Sequence, residues 1–156
     1  MVLKVGDQAP AFTLPNTKRE QVSLESFKGK SNVVLLFVPL AFTGTCTAEL
    51  CEISAGLNAY QQLGTEVLGL SVDSPFSLGA WAEKEKITIP LLSDFNKEVS
   101  AAYGAQYEEL IGLKGVAKRS AFVIDKSGVV RFASVSDDAK VLPDFAAIKA
   151  CLESLS

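Results

Sequence analysis

Two stretches of the chain are apolar almost without interruption. Asn32–Val38 reads NVVLLFV, and Val67–Val72 reads VLGLSV. Runs this short and this rich in Val and Leu predict strands buried on both faces, of the kind found in the middle of α/β sheets. Between them Leu50, Ile53, Leu57 and Tyr60 recur at spacings of three and four, which predicts a helix over Cys46–Leu63. Strand, helix and strand in succession make a βαβ unit, so the two strands should run parallel.

The flanking patterns extend this unit. Ala11–Leu14 and Gln21–Leu24 are short apolar pieces among turn formers and predict a small N-terminal hairpin. Pro75–Lys86 has the pattern of an amphipathic helix opened by Ser74 as N-cap, with Pro75 at the first helical position. Ile89–Ser93 predicts a short strand, and Asn96–Tyr103 a short helix stopped by Gly104. Gln106–Lys118 is less regular and reads as loop with one turn of helix. Ser120–Ile124 and Val129–Val135 predict strands joined at Asp-Lys-Ser-Gly, and Pro143–Leu155 predicts a closing helix with Phe145, Ile148, Leu152 and Leu155 on its apolar stripe. The sum is an α/β protein with a mixed central sheet and flanking helices.

Length fits one domain over residues 1–156, with 48% apolar and 21% charged residues, which excludes wholesale disorder. A net charge of −3 without any basic block argues against nucleic acid as a partner. The longest apolar run, Val33–Phe42, is ten residues long and contains Pro39, so no membrane span is expected. The N-terminus lacks an apolar signal core, which points to a reducing cytoplasmic setting.

Histidine is absent, which excludes Ser-His-Asp and Cys-His catalysis. Attention therefore falls on three cysteines: Cys46, Cys51 and Cys151. Cys46 follows the first buried strand after the turn Pro39-Leu-Ala-Phe-Thr-Gly-Thr and stands at the mouth of the predicted helix. Free backbone N–H groups and the positive end of the helix dipole favour an anion there. Bringing a thiol from a pKa of ~8.5 to ~6 requires about 3.4 kcal/mol of preference for the thiolate. A helix end offers roughly 0.3–2 kcal/mol and a charge-assisted hydrogen bond roughly 1.5–3. A cation is needed from elsewhere in the fold. Of three arginines, Arg19 lies in the hairpin and Arg131 inside a strand, whereas Arg119 directly precedes one; Lys118 is the weaker alternative. Thr43 is either an ordinary helix cap or a hydroxyl serving the sulfur, and Pro39 either ends the strand or shields the thiol. Leu40, Ala41 and Phe42 are expected to line the approach to Cys46.

Taken together, Pro39-x-x-x-Thr43-x-x-Cys46 resembles the active-site signature of the peroxiredoxins. Glu49, Trp81, Pro90-Leu-Leu-Ser-Asp94, Ala102-Tyr-Gly104 and Arg119 before Ser120–Asp125 match further family positions, across roughly residues 4–135. The resemblance implies a thioredoxin-like fold with an N-terminal β-hairpin extension and a thiol-dependent peroxidase that needs no cofactor or metal. Its substrates would be hydrogen peroxide and organic hydroperoxides, its reductant thioredoxin or a similar dithiol, and its state monomer or homodimer. Cys46 would be the peroxidatic nucleophile, Thr43 and Arg119 would bind the peroxide oxygens, Pro39 would shield the sulfur and Glu49 would orient the arginine.

Cys51 resembles the resolving cysteine of the Q-type, bacterioferritin-comigratory-protein-like members. The same turn also resembles the E-type members, many of which use one cysteine, and in that case Cys51 is inert. On an intact helix the Cα atoms of residues five apart stand roughly 8.7 Å from each other, beyond the ~7 Å limit for a disulfide. A Cys46–Cys51 bond therefore demands local unwinding. Cys151 reads as filler beside an apolar stripe. A thioredoxin-type disulfide oxidoreductase lacks its Cys-x-x-Cys here, and a redox sensor or holdase is the remaining alternative.

Overall fold

The computed structural model describes residues 3–155. Its centre is a five-stranded sheet whose strands, in spatial order, are β5 (Leu91–Ser93), β4 (Thr65–Ser71), β3 (Asn32–Phe37), β8 (Ser120–Ile124) and β9 (Val130–Val135). β3 pairs in parallel with β4, as the βαβ pattern requires, and β4 pairs in parallel with β5. β8 runs antiparallel to β3, and β9 antiparallel to β8. The sheet is mixed, and an N-terminal hairpin of β1 (Thr13–Pro15) and β2 (Gln21–Ser23) stands outside it, its turn bridged to the edge strand at Asn16 and Leu92.

The continuous apolar run of β3 has a direct packing cause. Successive side chains of a strand point to opposite faces. Val34 and Leu36 enter one core with Leu50, Ile53, Trp81, Ile148 and Leu152. Val33, Leu35 and Phe37 enter the other with Phe12, Leu24, Tyr103 and Phe122. Neither face meets water, so no position in the strand can be polar beyond Asn32 at its start. The first core is roofed by α1 (Gly44–Ala55), α2 (Leu57–Gln62), α3 (Pro75–Glu85) and α5 (Phe145–Leu155). The second is closed by the N-terminal hairpin region and α4 (Glu98–Ala102).

Three local expectations need correction. The helix over Cys46–Leu63 is two helices, because the chain breaks at Gly56, and the first begins at Gly44. Gly in a helix interior is disfavoured, and here that preference prevails over the continuing apolar period. Gln106–Lys118 contains no helical turn. It forms a second hairpin, β6 (Glu109–Leu110) against β7 (Leu113–Lys114), around Ile111 and Gly112, both at positive φ. Ser74 caps α3 as expected, its hydroxyl oxygen accepting from the Ser77 N–H at 3.1 Å. Thr43 occupies the N-cap position of α1 in extended backbone but makes no side-chain cap bond.

Candidate active site

The site assembles where β3 leaves the sheet. Register places Phe37 of β3 opposite Ser120 of β8, so Arg119, one residue before, stands beside the chain that continues into Pro39. The turn after β3 is tied to the neighbouring strand by Asp73, whose carboxylate accepts from the Ala41 N–H at 2.8 Å and from the Ser71 hydroxyl at 2.6 Å. Phe42 adopts φ 65° and packs its ring against Trp81, 6.4 Å between centroids. The Trp81 indole N–H donates to the Thr47 hydroxyl at 2.9 Å, fixing the first turn of α1 to α3. These contacts hold the helix mouth, and with it Cys46, against the sheet.

Arg119 uses all three of its nitrogens. Nη2 donates to Cys46 Sγ at 3.1 Å, Nη1 to Glu49 Oε1 at 2.7 Å, and Nε to the Ala139 carbonyl at 2.7 Å. Cys46 and Glu49, three apart on α1, lie on one helix face and share the cation. The cluster is dry: Cys46 is 1% exposed, Arg119 2% and Glu49 0%. Glu49 Oε2 is buried without a hydrogen-bond partner. Burial pushes the Glu49 carboxyl up to about 7, although Arg119 beside it pulls the other way. Burial also works against the Arg119 charge, but the Cys46 sulfur and the Glu49 carboxylate outweigh it and hold the guanidinium above its ordinary value.

The sulfur opens into a pocket of about 260 Å³. Thr43, Thr45, Cys46, Arg119 and Lys140 bring its polar chemistry, while Pro39, Leu40, Leu110, Ile111 and Ala139 supply apolar walls. The Thr43 hydroxyl donates to the Leu40 carbonyl at 2.7 Å, which leaves its lone pairs free to accept. Leu40 lines the approach as expected, whereas Ala41 is buried and Phe42 turns outward onto Trp81. Sequence reasoning missed Leu110, Ile111 and the Ala139 carbonyl. The two hairpin residues carry a faint signal, an apolar pair in a stretch too irregular for core, and a backbone acceptor carries none.

Cys51 sits on the same unbroken helix as Cys46, and its thiol donates to the Glu85 carbonyl at 3.4 Å. The three cysteines are free thiols. Cys151 packs beside the first core and donates to the Arg131 carbonyl at 3.7 Å. Among the described residues no group of three or more Cys, Asp or Glu side chains is placed to hold a metal ion, and no helix is long and apolar enough to cross a membrane.

A thioredoxin-like α/β fold that seats a buried cysteine on an arginine at a helix mouth defines a class of thiol-based oxidoreductases. A profile of the AhpC/TSA family matches residues 5–133, and the chain belongs to that family, the peroxiredoxins. It is 39% identical over 142 residues to alkyl hydroperoxide reductase E of Mycobacterium tuberculosis, covering 90% of each chain. It is 40% identical over 147 residues to peroxiredoxin TSA1 of Saccharomyces cerevisiae, covering 88% of this chain and 72% of that one. The crystal structure of peroxidoxin BcpB from Mycobacterium tuberculosis superposes with a TM-score of 0.87 at 28% identity over 99% of both chains. The protein is a thiol-dependent peroxidase.

Proposed function

We propose that this protein reduces hydrogen peroxide and organic hydroperoxides through a sulfenic acid on Cys46. The observation that carries the reading is the Arg119 Nη2 donor 3.1 Å from Cys46 Sγ in a pocket without histidine. The Cys46 thiolate attacks one peroxide oxygen, the O–O bond breaks, and the leaving alkoxide or hydroxide takes a proton to become an alcohol or water. The sulfur is oxidised to the sulfenic acid and the peroxide is reduced. The leaving group is poor, so donors aimed at the developing charge supply most of the acceleration. Arg119 fills that role, Thr43 helps bind the peroxide by accepting from its O–H through the hydroxyl lone pairs, Pro39 keeps bulk water from the sulfur, and Glu49 orients the arginine. The likeness to an alkyl hydroperoxide reductase supports organic hydroperoxides among the substrates.

Cys51 then resolves the sulfenic acid as an intramolecular disulfide, expelling water, and thioredoxin or a similar dithiol reduces it. The step requires the first turns of α1 to unwind, because the intact helix keeps the two Cα atoms roughly 8.7 Å apart. Two features support that unwinding: Thr43 provides no side-chain cap, and the helix stops nearby at Gly56. We place the enzyme in the cytoplasm as a single domain over residues 1–156, monomer or homodimer.

The test is peroxide consumption by wild type, Cys46→Ser, Cys51→Ser and Cys151→Ser, each with a thioredoxin system and with a monothiol. Cys46→Ser should lose at least about a thousandfold in rate. Cys51→Ser should keep single-turnover oxidation but lose turnover with thioredoxin. Mass spectrometry of peroxide-treated wild type should find a Cys46–Cys51 linkage. Cys51 still alkylatable after oxidation overturns the resolving step in favour of one-cysteine chemistry.

A further inference from the structure

The tip of the second hairpin is built against local preference. Leu110 pairs with Leu113, leaving Ile111 and Gly112 as a two-residue turn with φ 48° and 83°. Turns with positive φ at both central positions favour Asn-Gly or Asp-Gly. A β-branched residue there meets a steric penalty, because its side chain crowds the backbone in the left-handed region. Burial in the fold does not repay that penalty: Ile111 is 80% exposed.

Its position explains it. Ile111 stands with Leu110 in the wall of the Cys46 pocket, facing the same space as Pro39 and Leu40. The hairpin that carries it is rooted firmly. Tyr107 N–H donates to the Val116 carbonyl at 2.8 Å, Gly115 N–H to the Tyr107 carbonyl at 3.1 Å, and Lys118 N–H to the Ala105 carbonyl at 2.7 Å. The last bond lies one residue before Arg119, so the turn and the cation are held by one ladder. A peroxide with its oxygens at Thr43, Cys46 and Arg119 must direct any carbon substituent away from them, toward the apolar walls. Hydrogen peroxide has no such substituent.

Building on the peroxidase reading of Cys46, we infer that Ile111 is a specificity-determining residue: its side chain packs on the carbon substituent of an organic hydroperoxide and sets the preference for such substrates over hydrogen peroxide. The strained backbone persists because the turn must offer an apolar branched surface at the pocket mouth.

Stopped-flow oxidation of the reduced protein tests this, followed by the fluorescence of Trp81, the only tryptophan. Wild type, Ile111→Asn and Ile111→Gly are compared with hydrogen peroxide, tert-butyl hydroperoxide and cumene hydroperoxide. Both replacements suit the turn, so they should fold with a Tm at or above that of wild type. The cumene hydroperoxide rate constant should fall about tenfold, while that for hydrogen peroxide stays within about twofold. Equal losses for all three peroxides overturn the inference and make the hairpin a support for Arg119. Unchanged single-turnover rates with slower thioredoxin-driven turnover overturn it in favour of a contact with the reductant. A wild type inert to all three peroxides overturns the peroxidase reading, and the inference with it.

Discussion

Cys46 and Cys151 both stand on helices beside an arginine, and the two arginines offer them opposite ends of a hydrogen bond. Arg119 presents its guanidinium to Cys46, so the sulfur accepts at 3.1 Å. Arg131 presents its backbone carbonyl to Cys151, so the thiol donates at 3.7 Å, while its guanidinium turns to Asp125 at 3.2 Å. A donor beside sulfur favours the thiolate and an acceptor favours the thiol. Burial pushes the Cys151 thiol up, with the Arg131 charge opposing it. Cys51 falls on the same side of the divide, since it too donates to a carbonyl. Exposure would rank the three wrongly, because Cys46 is the most buried of them. The polarity of the partner separates a nucleophile from a packed thiol.

The comparison breaks most visibly if Arg119 is removed. Arg119→Met takes away the donor to Cys46 and leaves Glu49 buried without its cation. The rate of Cys46 oxidation should drop about 10²–10³-fold, and urea unfolding should show a loss of about 3 kcal/mol. Arg119→Lys should recover part of the stability but little of the rate, because an ammonium cannot serve Cys46, Glu49 and the Ala139 carbonyl in one plane. Arg131→Met is the matched control. It removes a half-exposed pair with Asp125 and the positive charge near Cys151, at a cost of about 1 kcal/mol or less, and should leave the Cys46 oxidation rate unchanged. Equal rates in Arg119→Met and wild type would sink the comparison.

Glu49 sharpens it, because one cation serves two acidic groups. Its carboxyl is near 4.5 in the unfolded chain and is pushed up to about 7 by burial, against the pull of Arg119. Between these values the folded protein holds a proton that the unfolded chain releases. Stability from this group is therefore fully present below pH 4.5 and is lost as pH rises through about 7, a decline on the order of 3 kcal/mol. Glu49→Gln cannot titrate. Urea unfolding of both proteins between pH 4 and 8 should show the wild type losing stability relative to the variant across that window. Parallel curves would mean that Arg119 keeps Glu49 ionised throughout.

Much of this site was legible before the structure. β3 and β4 were readable because strands buried on both faces leave little place for polar residues, and β8 with β9 because two strand-like runs flank the turn Asp-Lys-Ser-Gly. Arg119 was readable in part: a cation just before a strand can sit at one end of the sheet, and the resemblance to the peroxiredoxins singled it out, whereas the antiparallel register that brings it to the helix mouth is a feature of the structure. Other features left no such trace. The break at Gly56 is invisible to an apolar period that continues on both sides of it. The hairpin over Glu109–Lys114 has four paired residues and a turn without Asn or Asp, so neither alternation nor turn chemistry marks it. The Ala139 carbonyl that completes the arginine's hydrogen bonds belongs to the backbone, which has no residue signature at all.

The smallest effect should come from Cys151. Its thiol is half-buried against the first core and donates to the Arg131 carbonyl, and Ser can donate to the same acceptor. Cys151→Ser should cost about 1 kcal/mol or less and leave Cys46 oxidation within about twofold. The chemical contrast is best read in the Cys46→Ser/Cys51→Ser double variant, where Cys151 is the only thiol. Its alkylation by iodoacetamide depends on the thiolate fraction. Because burial raises this thiol above its ordinary range, the rate should still be climbing past pH 9. A plateau below pH 8 would show that the Arg131 charge prevails over the carbonyl, and that an arginine near a cysteine suffices whichever end it presents.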